Sequence, residues 1–240
     1  MSTLTGSASV FSSNPWRLDE ANPSHALGEL MQTSDGRRFR YARCGASTAL
    51  VAGQLQQAAA EDTGDQNIAP TAAAVNARTV ITSDTMTVTQ NQYAGGFMTV
   101  TVTPGVGIMY KIKQHEAYTA AAATFELEDE IQVALTTTSR VDFVPNPFNG
   151  VVAAPTTLTS AVVGFSVNDL STSQYGWLQT SGAGVIRNDA AGALTVGVAV
   201  MASTSVAGSV RLQTAGNKQV ARVLTGVASA EYGTGLISLD

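Results

Sequence analysis

Apolar side chains recur at every second position over most of this chain, in short runs, which is the spacing of strands with one buried face. The first such run is 38–41, with Arg38 and Arg40 on one side and Phe39 and Tyr41 on the other. Asp35-Gly36 ahead of it is a tight-turn pair, and Gly45 closes it. Residues 79–90 alternate Val80, Thr82, Met86 and Val88 with polar positions, Gly95-Gly96 breaks the run, and 97–103 resume it. Pro104-Gly105 is a turn, and 108–112 form another strand. In 124–136, Phe125, Leu127, Asp129, Ile131, Val133 and Leu135 keep period two with one exception, which predicts two short strands or one bulged strand. Pro145 and Pro147 reduce 140–152 to short strands around an extended edge or loop. Residues 161–167, 175–179, 185–186, 194–200, 209–212 and 220–228 all read as strands. They are separated by Gly, Asn-Asp and Ser-Gly turns at roughly ten-residue intervals, the rhythm of an antiparallel barrel or sandwich.

Two internal stretches carry weaker patterns. Residues 47–60 are rich in Ala, Leu and Gln, which favours helix, but Gly53 sits among them. A short strand ending near Gly53, followed by a loop, fits better. Residues 61–79 are small and polar and read as loop. Residues 1–27 differ from everything after them. They hold eight Ser or Thr, the turn pairs Asn14-Pro15 and Asn22-Pro23, and no apolar period. Phe11, Trp16 and Leu18 are nevertheless too apolar for a solvated tail. The segment is either a frayed terminus with a few pinned residues or an extended arm docking on a neighbouring subunit. The expected organisation is therefore an extended N-terminal arm, 1–27, and one compact, mainly β barrel or sandwich domain, 28–240.

Composition sharpens this picture. Ala, Thr, Val and Gly supply 112 of the 240 residues, and only 13% are charged, about half the usual share. Surfaces this poor in charge fit close β packing and coverage by a partner. The single cysteine, Cys44, excludes a disulfide scaffold and a Cys-rich zinc site. A net charge of −5 with ten scattered arginines lacks the footprint of a nucleic-acid binder. No apolar run of about 18 residues predicts a membrane span. Residues 1–11 lack the basic and apolar regions of a secretory leader, so synthesis in the cytoplasm is expected.

Candidate chemistry is sparse. His115 and Glu116 are neighbours and in a strand would point to opposite faces, so His115 reads as an ordinary surface or interface histidine. Glu126, Glu128 and Glu130 would share a strand face. They form either a solvated or subunit-facing acidic ridge or an oxygen-ligand cation site. Gly105-Val106-Gly107 lacks the third glycine and the βαβ context of a phosphate cradle, and no GxSxG or P-loop is present. Cys44 reads as a buried small hydrophobe. Arg37, Arg38, Arg40 and Arg43 make the one dense positive patch, suited to an acidic partner or to the chain's own carboxylates. Tyr175 and Trp177 share a strand face and read as a core pair before an interface anchor. No cofactor is expected.

Three stretches together resemble tailed-bacteriophage head decoration, or cement, proteins. They are Asp35-Gly36-Arg37-Arg38-Phe39-Arg40-Tyr41-Ala42 with Leu50-Val51-Ala52-Gly53-Gln54-Leu55; Tyr110-Lys111-Ile112 leading into VDFVPNPF at 141–148; and Gln174-Tyr175-Gly176-Trp177-Leu178-Gln179. The similarity spans about 28–210, and the loop at 61–79 and the run past 210 fall outside the pattern. The resemblance implies a non-enzymatic virion protein on the capsid exterior. It would bind the major capsid protein as a homotrimer near local threefold axes, and contact neither nucleic acid nor membrane. Phe11, Trp16 and Leu18 of the arm, with Arg37, Arg38 and Arg40, become the candidate partner contacts. Two rivals stand beside it. One is a tail or receptor-binding protein recognising host glycans. The other is a small esterase-like or sugar-active enzyme, which would need Glu126 and Glu130 to converge on a cleft.

Overall fold

The computed structural model describes residues 15–17 and 19–240. Phe11 and Leu18 of the expected arm lie outside the described residues. In chain order the strands are β1 Leu30–Gln32, β2 Arg38–Cys44, β3 Leu55–Gln57, β4 Thr79–Val88, β5 Phe97–Val102, β6 Met109–His115, β7 Tyr118–Leu127 and β8 Arg140–Val144. They continue with β9 Asn149–Ala153, β10 Val162–Ser166, β11 Tyr175–Arg187, β12 Ala199–Ala202, β13 Val210–Leu212, β14 Ala221–Val223 and β15 Tyr232–Ser238. Two 3-10 turns, Pro15–Arg17 and Thr63–Asp65, are the helical elements described. The mainly β, barrel-like fold expected from the alternation is the fold observed. Where the sequence reading has one β-rich domain over 28–240, the chain forms two compact units: 1–59 with 147–240, and 60–146. Composition stays Thr/Val/Ala-rich across both joins, so no shift marks the boundary.

The larger unit is built on β11. Its first half pairs antiparallel with β2 and with β10. β10 pairs with β3, β3 with β9, and β9 runs parallel to β2, which closes a five-strand ring. Ala42, Cys44, Leu50, Val151, Val163 and Leu178 cluster as its core. The second half of β11 pairs with β15, followed by β14, β12 and β13, and the Asn188–Val210 bridge returns to the end of β11. Leu55, Phe165, Ile186, Val200, Val223 and Ile237 belong to the core of this second ring. Met31, Phe39, Tyr41 and Trp177 form a further buried cluster, on the opposite face of β2 and β11 from Ala42 and Leu178. Tyr175 packs against it, as the period-two parity requires.

The smaller unit is an antiparallel sheet in the order β4-β7-β6-β5-β8. Phe125 and Phe143 stack at 4.2 Å inside a core drawn entirely from 68–143. The 61–79 segment does more than connect. Ile68 bridges to Val141 on β8 and Pro70 to Thr82 on β4, so one short stretch links both edges of the sheet. This leaves neither edge fully open to another chain.

Several local expectations change. The strand near Gly53 follows it instead of ending there. Gly53 takes a positive φ of 73° as the turn, and every residue of β3 is buried, which removes any alternation. β7 starts earlier than expected, in an Ala run with no polar contrast, and ends at Leu127; 128–136 are irregular. Segments 175–179 and 185–186 are one continuous strand. β15 escapes the pattern because glycines occupy 233 and 235. A Cβ at 233 would lie 2.2 Å from Val227 Cγ2, and one at 235 would lie 2.9 Å from Ile186 Cδ1.

Candidate functional site

The part of the expected arm that is described lies on its own unit. Glu20 and Tyr175 exchange two main-chain hydrogen bonds, at 3.2 and 2.9 Å. The Tyr41 hydroxyl donates to Glu20 Oε1 at 2.7 Å and accepts from the Ser24 amide at 3.2 Å. Asp19 accepts from the Ser171 amide and hydroxyl at 3.1 and 2.8 Å. The His25 ring sits 5.2 Å from Tyr41 and 5.1 Å from Trp177. Burial pushes the Tyr41 hydroxyl pKa up, so it stays protonated and keeps donating to Glu20.

The arginine patch divides. Arg37 pairs with Asp35 at 2.8 Å and lays its guanidinium 4.7 Å from the centre of the Trp16 ring. The Thr33 hydroxyl, then Arg37, hold the Asp35 carboxyl below its ordinary range. Arg40 pairs with Asp240 at 3.1 Å and donates to the Gly28 carbonyl. Arg38 is exposed and has no ion-pair partner among the described residues. Of the candidate partner contacts, Trp16 and Arg37 meet, whereas Arg38 and Arg40 lie further along β2. Cys44 is buried as expected, its thiol 3.3 Å from the Thr48 carbonyl, and burial raises its pKa.

Trp16 and Arg37 stand at a groove of about 550 Å³ in the larger unit. Val51, Gly53, Val185 and Tyr232 line it, with Phe165, Ser166, Asp169, Gln179 and Thr234. Two glycines make room for it. A Cβ on Gly53 would sit 3.0 Å from the Tyr232 ring, and one on Gly184 would sit 2.5 Å from Gln179 Oε1. The Gln179 amide nitrogen donates to the carbonyls of Ser181 and Ala183 at 3.0 and 2.9 Å, which fixes its side chain. Sequence reasoning missed this groove because its lining comes from separate stretches of chain. The one local hint is Val51-Ala52-Gly53, an apolar step into a glycine.

In the smaller unit, His115 is 5% exposed, which corrects the surface reading. Its strand parity with Tyr110 and Ile112 is broken by a shift in the β6–β7 register beyond Ile112, and the ring turns inward. Nδ1 donates to the Glu116 carbonyl at 2.8 Å, and Nε2 accepts from the Tyr93 amide at 3.0 Å. That pair of bonds defines a neutral tautomer, and burial lowers the His115 pKa in the same direction. The Tyr93 hydroxyl donates to the buried Asp65 carboxylate, and burial raises both pKa values.

The expected acidic ridge is laddered with cations. Glu126 pairs with Lys113 at 2.5 Å, Glu128 with Lys111 at 3.0 Å and Glu130 with Arg78 at 3.1 Å. Glu126 alone of the three lies within a strand, and Lys113 with Gln114 lowers its pKa. Among the described residues no group of three metal-ligating side chains forms a cation site, and no helix is long and apolar enough to cross a membrane.

Exposed apolar side chains occur on both units. Val196 and Leu224 flank the hydrogen bond from Gly197 N–H to the Val223 carbonyl and are 66% and 43% exposed. Val106 and Met109 stand at the turn between β5 and β6 at 57% and 58% exposure, and Val133 of the 128–136 segment would lie 3.9 Å from a Cβ on Gly105 of that turn. Comparison of the chain with known protein families, curated proteins and solved structures finds no match.

Proposed function

We propose that this chain is a structural virion protein, a decoration or cement protein. In this reading it binds the major capsid protein lattice on the outside of the head, as a trimer at local threefold axes, and stabilises the expanded shell. One observation carries the reading: each unit exposes large apolar side chains, Val196 and Leu224 on either side of a main-chain hydrogen bond in one and Val106 and Met109 three residues apart in the other. Contiguous exposed apolar groups mark protein contacts. Two such contacts per chain, repeated around a trimer, add through effective concentration even when each is weak. A cyclic trimer built through a heterologous, closing interface supplies that repetition. The low charge of the chain agrees, since charged residues are depleted at interface cores.

Quantitative mass spectrometry of purified particles tests it. Near parity with the major capsid subunit is the expected result. A handful of copies would move the assignment to the tail and to host-glycan recognition, and absence from particles would end both structural readings. In solution, light scattering should report a trimer, or a chain that becomes trimeric on expanded shells. A stable monomer that never binds them counts against the proposal.

A further inference from the structure

We infer that the groove beside Trp16 binds a neutral, hydroxyl-rich ligand, a short hexose oligosaccharide. Its volume of about 550 Å³ lies in the range of small-molecule sites. Its rim carries two exposed aromatic rings, Trp16 and Tyr232, platforms for the C–H face of a sugar ring. Its lining carries acceptors for the hydroxyl edge. Asp169 Oδ1 accepts from the Ala52 amide at 2.9 Å, and Oδ2 accepts no hydrogen bond among the described residues. Ser166 is 2% exposed, and its hydroxyl has no hydrogen-bond partner among the described residues.

That buried hydroxyl decides between occupants. A wholly apolar segment would leave it unpaired and would also cover the Asp169 carboxylate, whereas a polyhydroxylated ligand can pair both. Net charge decides the sugar class. Arg37 is already paired with Asp35, and Arg187, 5.9 Å from the centre of the Tyr232 ring, stands outside the lining; the lining itself therefore presents one uncompensated carboxylate, Asp169, and no uncompensated cation, which disfavours sialylated or uronic sugars. Gly53 and Gly184 leave room for the Tyr232 ring and the Gln179 side chain, and the two hydrogen bonds of the Gln179 amide fix it without a ligand, so this part of the site is preformed.

The chain's two tryptophans make the test direct. Trp177 is fully buried and Trp16 is 42% exposed, so acrylamide quenching reports chiefly on Trp16. The full chain is titrated with cellotriose, maltotriose and triacetylchitotriose, with sialyllactose as the anionic control. At least one neutral probe should protect Trp16 with a Kd of about 1 mM or tighter. Asp169→Asn and Tyr232→Ala should each weaken that probe about tenfold while thermal unfolding stays cooperative. Trp16→Ala, at an exposed position, should weaken it similarly by calorimetry if Tyr232→Ala fails to fold. Absence of binding by all three neutral probes overturns the inference. So does equal binding of sialyllactose, or unchanged affinity in Asp169→Asn and Trp16→Ala.

Discussion

His115 shows how much one buried ring can decide. Both nitrogens have fixed roles, Nδ1 as donor and Nε2 as acceptor, so a second proton would face the Tyr93 amide. Its folded pKa lies below the ordinary 6.5, so the unfolded chain takes up the proton first as pH falls. Stability contributed by neutral His115 is therefore present above about pH 6.5 and is lost as pH drops through and below that value. Asp65 faces His115 with a raised pKa and works in the opposite direction at lower pH, as the folded state binds its proton more tightly. Thermal unfolding of the smaller unit should show a fall in Tm between pH 7 and 5.5, and His115→Gln should flatten it. At the same scale, Gly96→Ala is expected to be severe. A Cβ there would lie 2.3 Å from the Val144 carbonyl oxygen, on backbone that cannot rotate away. A loss of about 1–3 kcal/mol or more, read from denaturant midpoints, is the expected outcome.

Elements are held by contacts that no single stretch of sequence contains. The 19–27 segment is held on its unit by the Glu20–Tyr175 bridge, the Asp19–Ser171 bonds, the His25 ring and one hydroxyl, that of Tyr41. Tyr41→Phe removes both side-chain bonds and keeps the ring against Trp177. The expected cost is about 1–2 kcal/mol, with earlier proteolytic cleavage within 19–27 at an unchanged core. Tyr41 itself was legible as an inward strand residue from the Arg-Phe-Arg-Tyr alternation. Its hydrogen-bond role was not, because its partners precede it by 17 and 21 residues. β15 was illegible for a related reason. Its glycines make room for Val227 and Ile186, and that requirement is set by neighbours, not by the strand's own pattern.

On the scale of the whole molecule, charge is divided between the units. Residues 60–146 carry ten carboxylates against four cations, and the rest of the chain carries eight against nine. The smaller unit therefore holds a net −6 and the larger +1. Its core is drawn wholly from 68–143, so a fragment spanning 60–146 should fold alone, with dispersed amide resonances and a cooperative transition. A disordered fragment would show that its stability depends on the rest of the chain. Deleting 1–27 tests the arm. The sequence reading expects a folded β domain with weaker shell attachment. The structure adds that His25 packs against Trp177 and Tyr41, so the deletion should also lower Tm and make Trp177 quenchable.

Sequence alone determined the β class, most of the strands, the buried cysteine and the pairing of Tyr175 with Trp177 on one face. Each of these depends on period-two alternation, on turn residues or, for Cys44, on residue type, which are local properties of the chain. Tertiary structure decided the rest: two units, ring closure through β11, the inward turn of His115, the cations facing Glu126, Glu128 and Glu130, and the groove at Trp16. These depend on which distant strands become neighbours. That pairing is settled by packing across the fold, where a side chain from a distant stretch, as Ile186 is for Gly235, can matter more than the residue beside it.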